Sequence, residues 1–302
     1  MLCECCPRLC RVDRSACRGF CDAPLQVEAS AVCRHTGEEP PLCGTKGICN
    51  VFFTHCNLRC VYCQNRQISG LAVDDALVRM RGVEAVVDGI ERVLSETENI
   101  VGFVSPSHYA LAVPAIVEAM HGRGLHPTVV YNTNAYERVE TLERLEDYVD
   151  IYLPDMKYSQ PELAERYSQA ADYPSVAAAA ISEMVRQKGS GLLCDDRGLA
   201  FRGVVVRHLV LPGQVPNSTG VVRWLADNMP WNIHLSLMSQ YYPCCDGLPD
   251  QLYRTLGVDE YNEVVAAVEA AGLANVWLQE MDSNHTYRPD FASGSPFQQP
   301  AT

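Results

Sequence analysis

No stretch of this chain approaches the ~18 consecutive apolar residues that a membrane helix requires. Positive charge is scarce as well: Lys+Arg number 24 against 37 Asp+Glu, a net charge of −13 over 302 residues. Holding nucleic-acid phosphates needs a cationic surface, so this balance argues against a nucleic-acid partner. The N-terminus, Met1-Leu2-Cys3-Glu4-Cys5-Cys6-Pro7, lacks the basic-then-apolar order of an export signal. No GxGxxG follows the first apolar strand, which weighs against a dinucleotide fold. The expectation is a cytoplasmic protein with no membrane or nucleic-acid partner. The rest of the composition, 47% hydrophobic and 20% charged, is that of an ordinary globular chain.

Cysteine is not scarce, and it is unevenly placed. Of the 15 cysteines, all but Cys194, Cys244 and Cys245 fall in residues 1–63. Disulfide-dense domains are usually small and secreted, whereas clustered thiols in a reducing compartment more often bind metal. Metal ligation is therefore the favoured reading.

Three zones follow from the patterning. Residues 1–47 are rich in Cys, Pro and Gly, show no sustained apolar period and have little from which to build a core. Residues 48–285 alternate short apolar runs with helical patterns, as βα units around a parallel sheet do. Strands are expected at Ile48–Thr54, Ile100–Ser105, Thr128–Asn132, Val149–Leu153, Phe201–Leu211 and Ile233–Met238, with a further one at Asn275–Leu278. Helices are expected at Asp74–Ser95, Ala110–Arg123, Arg138–Glu146, Pro161–Gln187, Ser218–Asn228 and Asp259–Ala271. The implied α/β fold is a partial (β/α)6 TIM-like barrel with a Cys-rich N-terminal extension, and residues 286–302 read as a frayed polar tail. In parallel barrels chemistry sits at the C-terminal ends of the strands, which directs attention to the residues after each one.

The first strand runs into His55-Cys56-Asn57-Leu58-Arg59-Cys60-Val61-Tyr62-Cys63-Gln64-Asn65, a C-x3-C-x2-C loop. Three thiolates can satisfy three irons of a [4Fe–4S] cube and leave the fourth open for chemistry. A structural zinc site borrowing a fourth thiol such as Cys49 is the competing reading. The loop resembles the cluster loop of the radical S-adenosylmethionine (radical SAM) enzymes. The chain as a whole is most similar to their pyruvate formate-lyase activating enzyme branch, among relatives with a Cys-rich N-terminus. That resemblance implies a [4Fe–4S] cluster on Cys56, Cys60 and Cys63 and S-adenosylmethionine at the open iron, cleaved by one electron to methionine and a 5′-deoxyadenosyl radical. It also implies a one-electron donor such as flavodoxin or ferredoxin.

Other strand ends carry the resemblance further. Asn132-Thr133-Asn134-Ala135 is similar to the family's Asp-Thr-Asn-Gly, with Asn132 in place of the Asp. Asp155-Met156-Lys157 resembles its Asp-x-Lys, aimed at the cofactor's ribose and carboxylate. Arg207 through Pro212-Gly213 resembles its Arg-x-x-x-x-Pro-Gly, and Leu237–Tyr241 falls where the family lines the adenine and substrate region. The family's Gly-Gly-Glu, which receives the methionine amino group, is absent, and Ser105-Pro106-Ser107-His108 stands there instead. The implied cofactor-binding residues are Tyr62, Ser105, Ser107, His108, Asn132, Thr133, Asp155, Lys157 and Arg207.

The N-terminal thiols pose a separate question. Cys3, Cys6, Cys10 and Cys21 could supply a second site, with Cys5 and Cys17 as substitutes, and four thiolates suit zinc or a second iron–sulfur cluster alike. A segment without a core gains stability from such a staple. The expected function is hydrogen abstraction from a partner, with glycyl-radical formation on an enzyme as the leading form. Modification of a small molecule or peptide is the alternative, and a zinc-stabilised non-enzymatic scaffold is a third reading.

Overall fold

In the computed structural model, residues 2–286, 288–293 and 295–297 are described, and the alternating pattern resolves into one mostly parallel sheet. Its strands in chain order are β1 (Glu28–His35), β2 (Ile48–Phe53), β3 (Met80–Arg81), β4 (Ile100–Val104), β5 (Thr128–Thr133) and β6 (Ile151–Pro154). There follow β7 (Leu193–Cys194), β8 (Ala200–Leu209), β9 (His234–Met238) and β10 (Asn275–Leu278). The spatial order is β10-β9-β8-β6-β5-β4-β2-β1-β3, with β7 paired to β8. Every pairing from β2 to β10 along that path is parallel. The sheet does not close on itself, so the architecture is the expected partial barrel, and Asn275–Leu278 adds a further parallel strand. β2 and β4 are buried at every position, as strands covered on both faces must be. Among the described residues no helix is long and apolar enough to cross a membrane.

Two helices differ from expectation. In place of a helix over 74–95, a short turn at Asp75–Leu77 and β3 come first, and the helix occupies Val83–Leu94. Gly82, at φ 87°, separates them in a conformation that side-chain-bearing residues rarely adopt. The expected helix over 161–187 breaks into Pro161–Ser168 and Tyr173–Lys188. Gln169 ends the first piece in the left-handed conformation, its N–H returning to Glu165 O at 3.0 Å. That break places Ser168 at the site described below.

The extension is not core-less. β1 pairs antiparallel with β2 and carries the sheet outward to β3. Its buried positions are the small residues Ala29, Ser30 and Ala31, covered on both faces of the strand without the bulky alternation that marks one. Nor does the described part of the C-terminal tail fray. Phe291 is fully buried, with its ring 5.4 Å from that of Phe52, and Phe297 packs on the same ring at 5.3 Å. The remainder of the expected tail, Tyr287, Gly294 and residues 298–302, lies outside the described residues.

Candidate active site

Beyond β2, His55 takes φ 68° and turns the chain over the C-terminal edge of the sheet, its N–H bonded to Ile68 O at 2.6 Å. The loop this closes carries Cys56, Cys60 and Cys63. Each sulfur meets a polar neighbour of its own. Asn134 Nδ2 and the Leu58 N–H lie 3.4 and 3.5 Å from Cys56 Sγ. The Ser168 hydroxyl donates to Cys60 Sγ at 3.0 Å, and Ser69 Oγ pairs with Cys63 Sγ at 3.1 Å. Ser168 also continues a chain of hydroxyls through Tyr158 (2.7 Å) to Tyr62 (2.8 Å).

Burial pushes the Cys56 thiol up to about 12 and Cys63 up to about 11, and the negative charge of Cys60 as a thiolate adds to both. Burial raises Cys60 too, against the pull of Lys157. Unligated, these sulfurs keep their protons at neutral pH, and ligation would release them. Among the described residues no three Cys, His, Asp or Glu side chains are placed to hold a lone metal ion. A cluster that gives each thiolate a different iron asks for a wider spread than a lone ion does, and three sulfurs on one loop, each with a polar neighbour, suit it.

Beside Cys60 and Cys63 opens a cavity of about 200 Å3 walled by Tyr62, Ser105, Asn132, Asp155, Lys157 and Arg207. Asp155 leaves the end of β6 pinned by its N–H to Thr133 O at 2.9 Å, and Met156 N–H bonds Arg207 O at 2.8 Å. The Asp155 carboxylate and the Lys157 ammonium form an ion pair that is mostly buried. Burial alone would lower Lys157, but Asp155 and the Cys60 sulfur outweigh it and hold the ammonium charged.

Three expected cofactor residues, Ser107, His108 and Thr133, do not line this cavity. Ser105, at φ 52°, reverses the chain after β4, and Ser107 and His108 turn inward beneath it. Ser107 Oγ pairs with Thr133 Oγ1 at 3.2 Å, and the Thr133 hydroxyl donates to the buried Glu137 carboxyl at 2.5 Å. His108 bonds the Thr54 carbonyl through Nε2 at 2.7 Å, which places its proton there, and burial lowers the ring to about 3, so it stays neutral. Arg207 does line the cavity, but its guanidinium is engaged by both Glu38 and Glu39, which arrive from the extension.

A second cavity, about 320 Å3, lies beyond this one and is bounded by Glu38, Glu39, Trp277 and Phe297 among others. The two share a wall that includes Asn65, Asn132, Arg207 and Gln240. The sequence reading passed over Glu38 and Glu39, although a Glu pair directly before Pro40-Pro41 stands out in that short stretch. It also passed over Cys244 and Cys245, whose sulfurs sit 3.5 Å from the carbonyls of Cys63 and Val61. Their signal was position, just after the sixth expected strand.

No family model matches the chain. The uncharacterized protein MJ0674 of Methanocaldococcus jannaschii is 30% identical over 284 residues, covering 91% of this chain and 76% of that protein. Among solved structures, a domain of pyruvate-formate lyase-activating enzyme from Bacteroides vulgatus is similar at TM-score 0.40 and 12% identity, over 57% of this chain and 93% of that domain. Streptococcus suis SuiB, solved with S-adenosylmethionine, is similar at TM-score 0.49 and 13% identity, over 75% of this chain and 48% of SuiB. HydG, a maturase of the [FeFe]-hydrogenase, is also similar at TM-score 0.49 and 13% identity, over 80% of this chain and 54% of HydG. The chain thus spans about half the length of SuiB and HydG.

Proposed function

We propose that this chain, which belongs to the same family as MJ0674 and has the open partial barrel of the radical SAM superfamily, is a radical SAM enzyme. The observation that carries the reading is the three-thiol loop, each sulfur with its own polar neighbour, at the edge of a cavity holding a buried Asp–Lys pair. Cys56, Cys60 and Cys63 would hold a [4Fe–4S] cluster by three of its irons. Together with S-adenosylmethionine, the bound cluster supplies one-electron cleavage of a carbon–sulfur bond, giving methionine and a 5′-deoxyadenosyl radical that abstracts hydrogen.

The chain's own residues orient and shield that chemistry. The Lys157 ammonium, charged, mostly buried and paired with Asp155, would meet the carboxylate of S-adenosylmethionine, and Asp155 would accept from its ribose hydroxyls. Asn132 and Ser105 offer polar atoms on the same wall. Asp155→Asn should weaken S-adenosylmethionine binding by about 1–3 kcal/mol, a lost charge-assisted hydrogen bond, while leaving the cluster in place. Calorimetric titration of the two proteins checks this, and equal affinities would remove Asp155 from the role. The Ser168 hydroxyl stabilises extra charge on the Cys60 sulfur, so Ser168→Ala should lower the cluster's midpoint potential. A hydrogen bond of ~1 kcal/mol corresponds to roughly 40 mV for one electron, readable by redox titration followed by paramagnetic resonance.

The 320 Å3 cavity is the substrate's place in this reading, because it shares a wall with the cofactor cavity. Its size and its buried carboxylates favour a small molecule or a peptide side chain over the loop of a large protein partner. Glycyl-radical formation on a partner enzyme is the second reading. Electrons come from an external one-electron donor of the flavodoxin or ferredoxin class. The test is anaerobic reconstitution with iron and sulfide, reduction, addition of S-adenosylmethionine and assay for 5′-deoxyadenosine. Formation of this product supports the proposal, and its absence from fully reconstituted, reduced protein overturns it. A stable organic radical on an added glycyl-radical protein would favour the second reading.

A further inference from the structure

A group of thiols lies in a part of the chain that the chemistry above does not use. Cys3, Cys6, Cys10 and Cys21 line one cavity of about 10 Å3, beside Cys5, Arg14 and His108. We propose that Cys3, Cys6, Cys10 and Cys21 form a second, thiolate-ligated metal centre packed against the back of the loop that carries Cys56, Cys60 and Cys63.

Several independent features of the backbone serve these sulfurs. The Phe20 N–H donates to Cys10 Sγ at 3.2 Å. Amides aimed at sulfur stabilise thiolate charge, as the surroundings of metal-ligating sulfurs do. The chain is bent on both sides of Cys10: Leu9 and Arg11 sit at φ 43° and 51°, and neither is glycine. Such backbone persists where the surroundings enforce it and gathers at functional sites. Opposite, a Cβ on Gly19 would stand 3.0 Å from Cys10 Sγ, so the absence of a side chain there makes room for the sulfur.

The geometry also selects among the thiols. Cys5 lines the same cavity, but its thiol is engaged with Ser107 O at 3.4 Å, while Cys17 is exposed and outside the cavity. All the cysteines are free thiols, so no disulfide competes for the four. Among the described residues no trio is placed for a lone ion, so on this proposal ligation would draw the four side chains together across the small cavity they line. Arg14 is held in place by the carbonyls of Ala23, Pro24 and His108 at 3.2, 2.6 and 2.6 Å. Arg8 reaches Asn57 O at 3.0 Å in the neighbouring loop. Both guanidiniums offset the surplus negative charge that four thiolates bring to a divalent ion or a cluster. Zinc and an iron–sulfur cluster share this ligand chemistry.

The proposal does not rest on the radical reading, and its test is arranged accordingly. The full-length Cys56→Ala, Cys60→Ala, Cys63→Ala variant is isolated anaerobically from cells supplied with iron and zinc. Iron, zinc and acid-labile sulfide are then measured per chain. The expected result is one remaining metal centre, either iron with sulfide or zinc without it, with four sulfurs around the metal by X-ray absorption. Adding Cys6→Ser and Cys10→Ser should remove that metal, and adding Cys17→Ser should leave it. Should the double serine variant fail to fold, Cys21→Ser alone reports through the sulfur coordination, expected to fall from four to three around zinc, or to show one iron of a cluster without its thiolate. A metal-free triple-alanine protein overturns the proposal, as does metal retained with unchanged sulfur coordination in the serine variants.

Discussion

Replacing Cys56, Cys60 and Cys63 together by alanine is expected to abolish 5′-deoxyadenosine formation while leaving the chain folded. On the proposed reading the three sulfurs would be the cluster's protein ligands on the loop that β2 delivers, and an iron without thiolate ligation is lost. The loop does not depend on them for its shape. Arg59 N–H bonds Ser168 O at 3.3 Å, Val61 N–H bonds Tyr167 O at 2.9 Å, and His55 N–H bonds Ile68 O. Loss of the sulfur contacts should change stability by no more than about 1 kcal/mol for each hydrogen bond removed. The checks are product assay, loss of the loop cluster's absorbance, and a cooperative thermal transition lowered by no more than roughly 10 °C in the metal-depleted proteins. Turnover surviving all three replacements would place the chemistry elsewhere.

Arg207→Met should cost about 3–5 kcal/mol of folding stability, the scale for breaking a buried ion pair on one side. Glu38 and Glu39 share the one guanidinium with side chains only 7% and 6% exposed, so the substitution strands two carboxylates in a place water reaches poorly. Asn50, whose Nδ2 donates to Glu38 at 2.7 Å, cannot balance their charge. The pH dependence distinguishes this from lost packing. Burial alone would raise Glu38, but Arg207 and His35 outweigh it and hold the carboxyl down from 4.5 to about 2. A lowered pKa contributes stability that is present above the ordinary value and lost as pH falls towards the folded one. The parent should therefore weaken between 4.5 and about 2 on this account. In the variant burial is no longer outweighed by Arg207 and raises the Glu38 carboxyl, so the stability gap should be widest near neutrality and narrow on acidification. Urea unfolding across that range measures it, and an unchanged midpoint at neutral pH would contradict the ion-pair account.

The three-cysteine loop and the barrel were legible because their signals are local. An apolar run long enough for one strand, then C-x3-C-x2-C, needs no knowledge of the remainder of the chain. Asp155 and Lys157 were legible for a similar reason, since positions two apart at a strand end share a side. The partners of Arg207 were not, because Glu39 is 168 residues away and only the antiparallel placement of β1 brings the intervening segment over the cavity. Ser107 and His108 failed differently. Their position after β4 was right, but a single left-handed residue, Ser105, decides which way the following side chains point. No periodicity records such a reversal. The strand β1 escaped because Ala29, Ser30 and Ala31 fill a tight space with little hydrophobic contrast.

The antiparallel pair at the sheet's edge has a further consequence, in the order of assembly. Each parallel pairing must wait for a crossover to fold back, whereas β1 and β2 are joined directly through residues 36–47. Loop-closure entropy makes that short-range pairing the least demanding step in building the sheet. Glu38 and Glu39 lie within this connection, so they are positioned early, still hydrated and mutually repelling. β8, which brings Arg207, joins only after the chain has passed through β4, β5 and β6. Docking of β8 is thus the step at which two waiting carboxylates lose their water and gain their cation. On this order the wall common to both cavities is expected to be completed last.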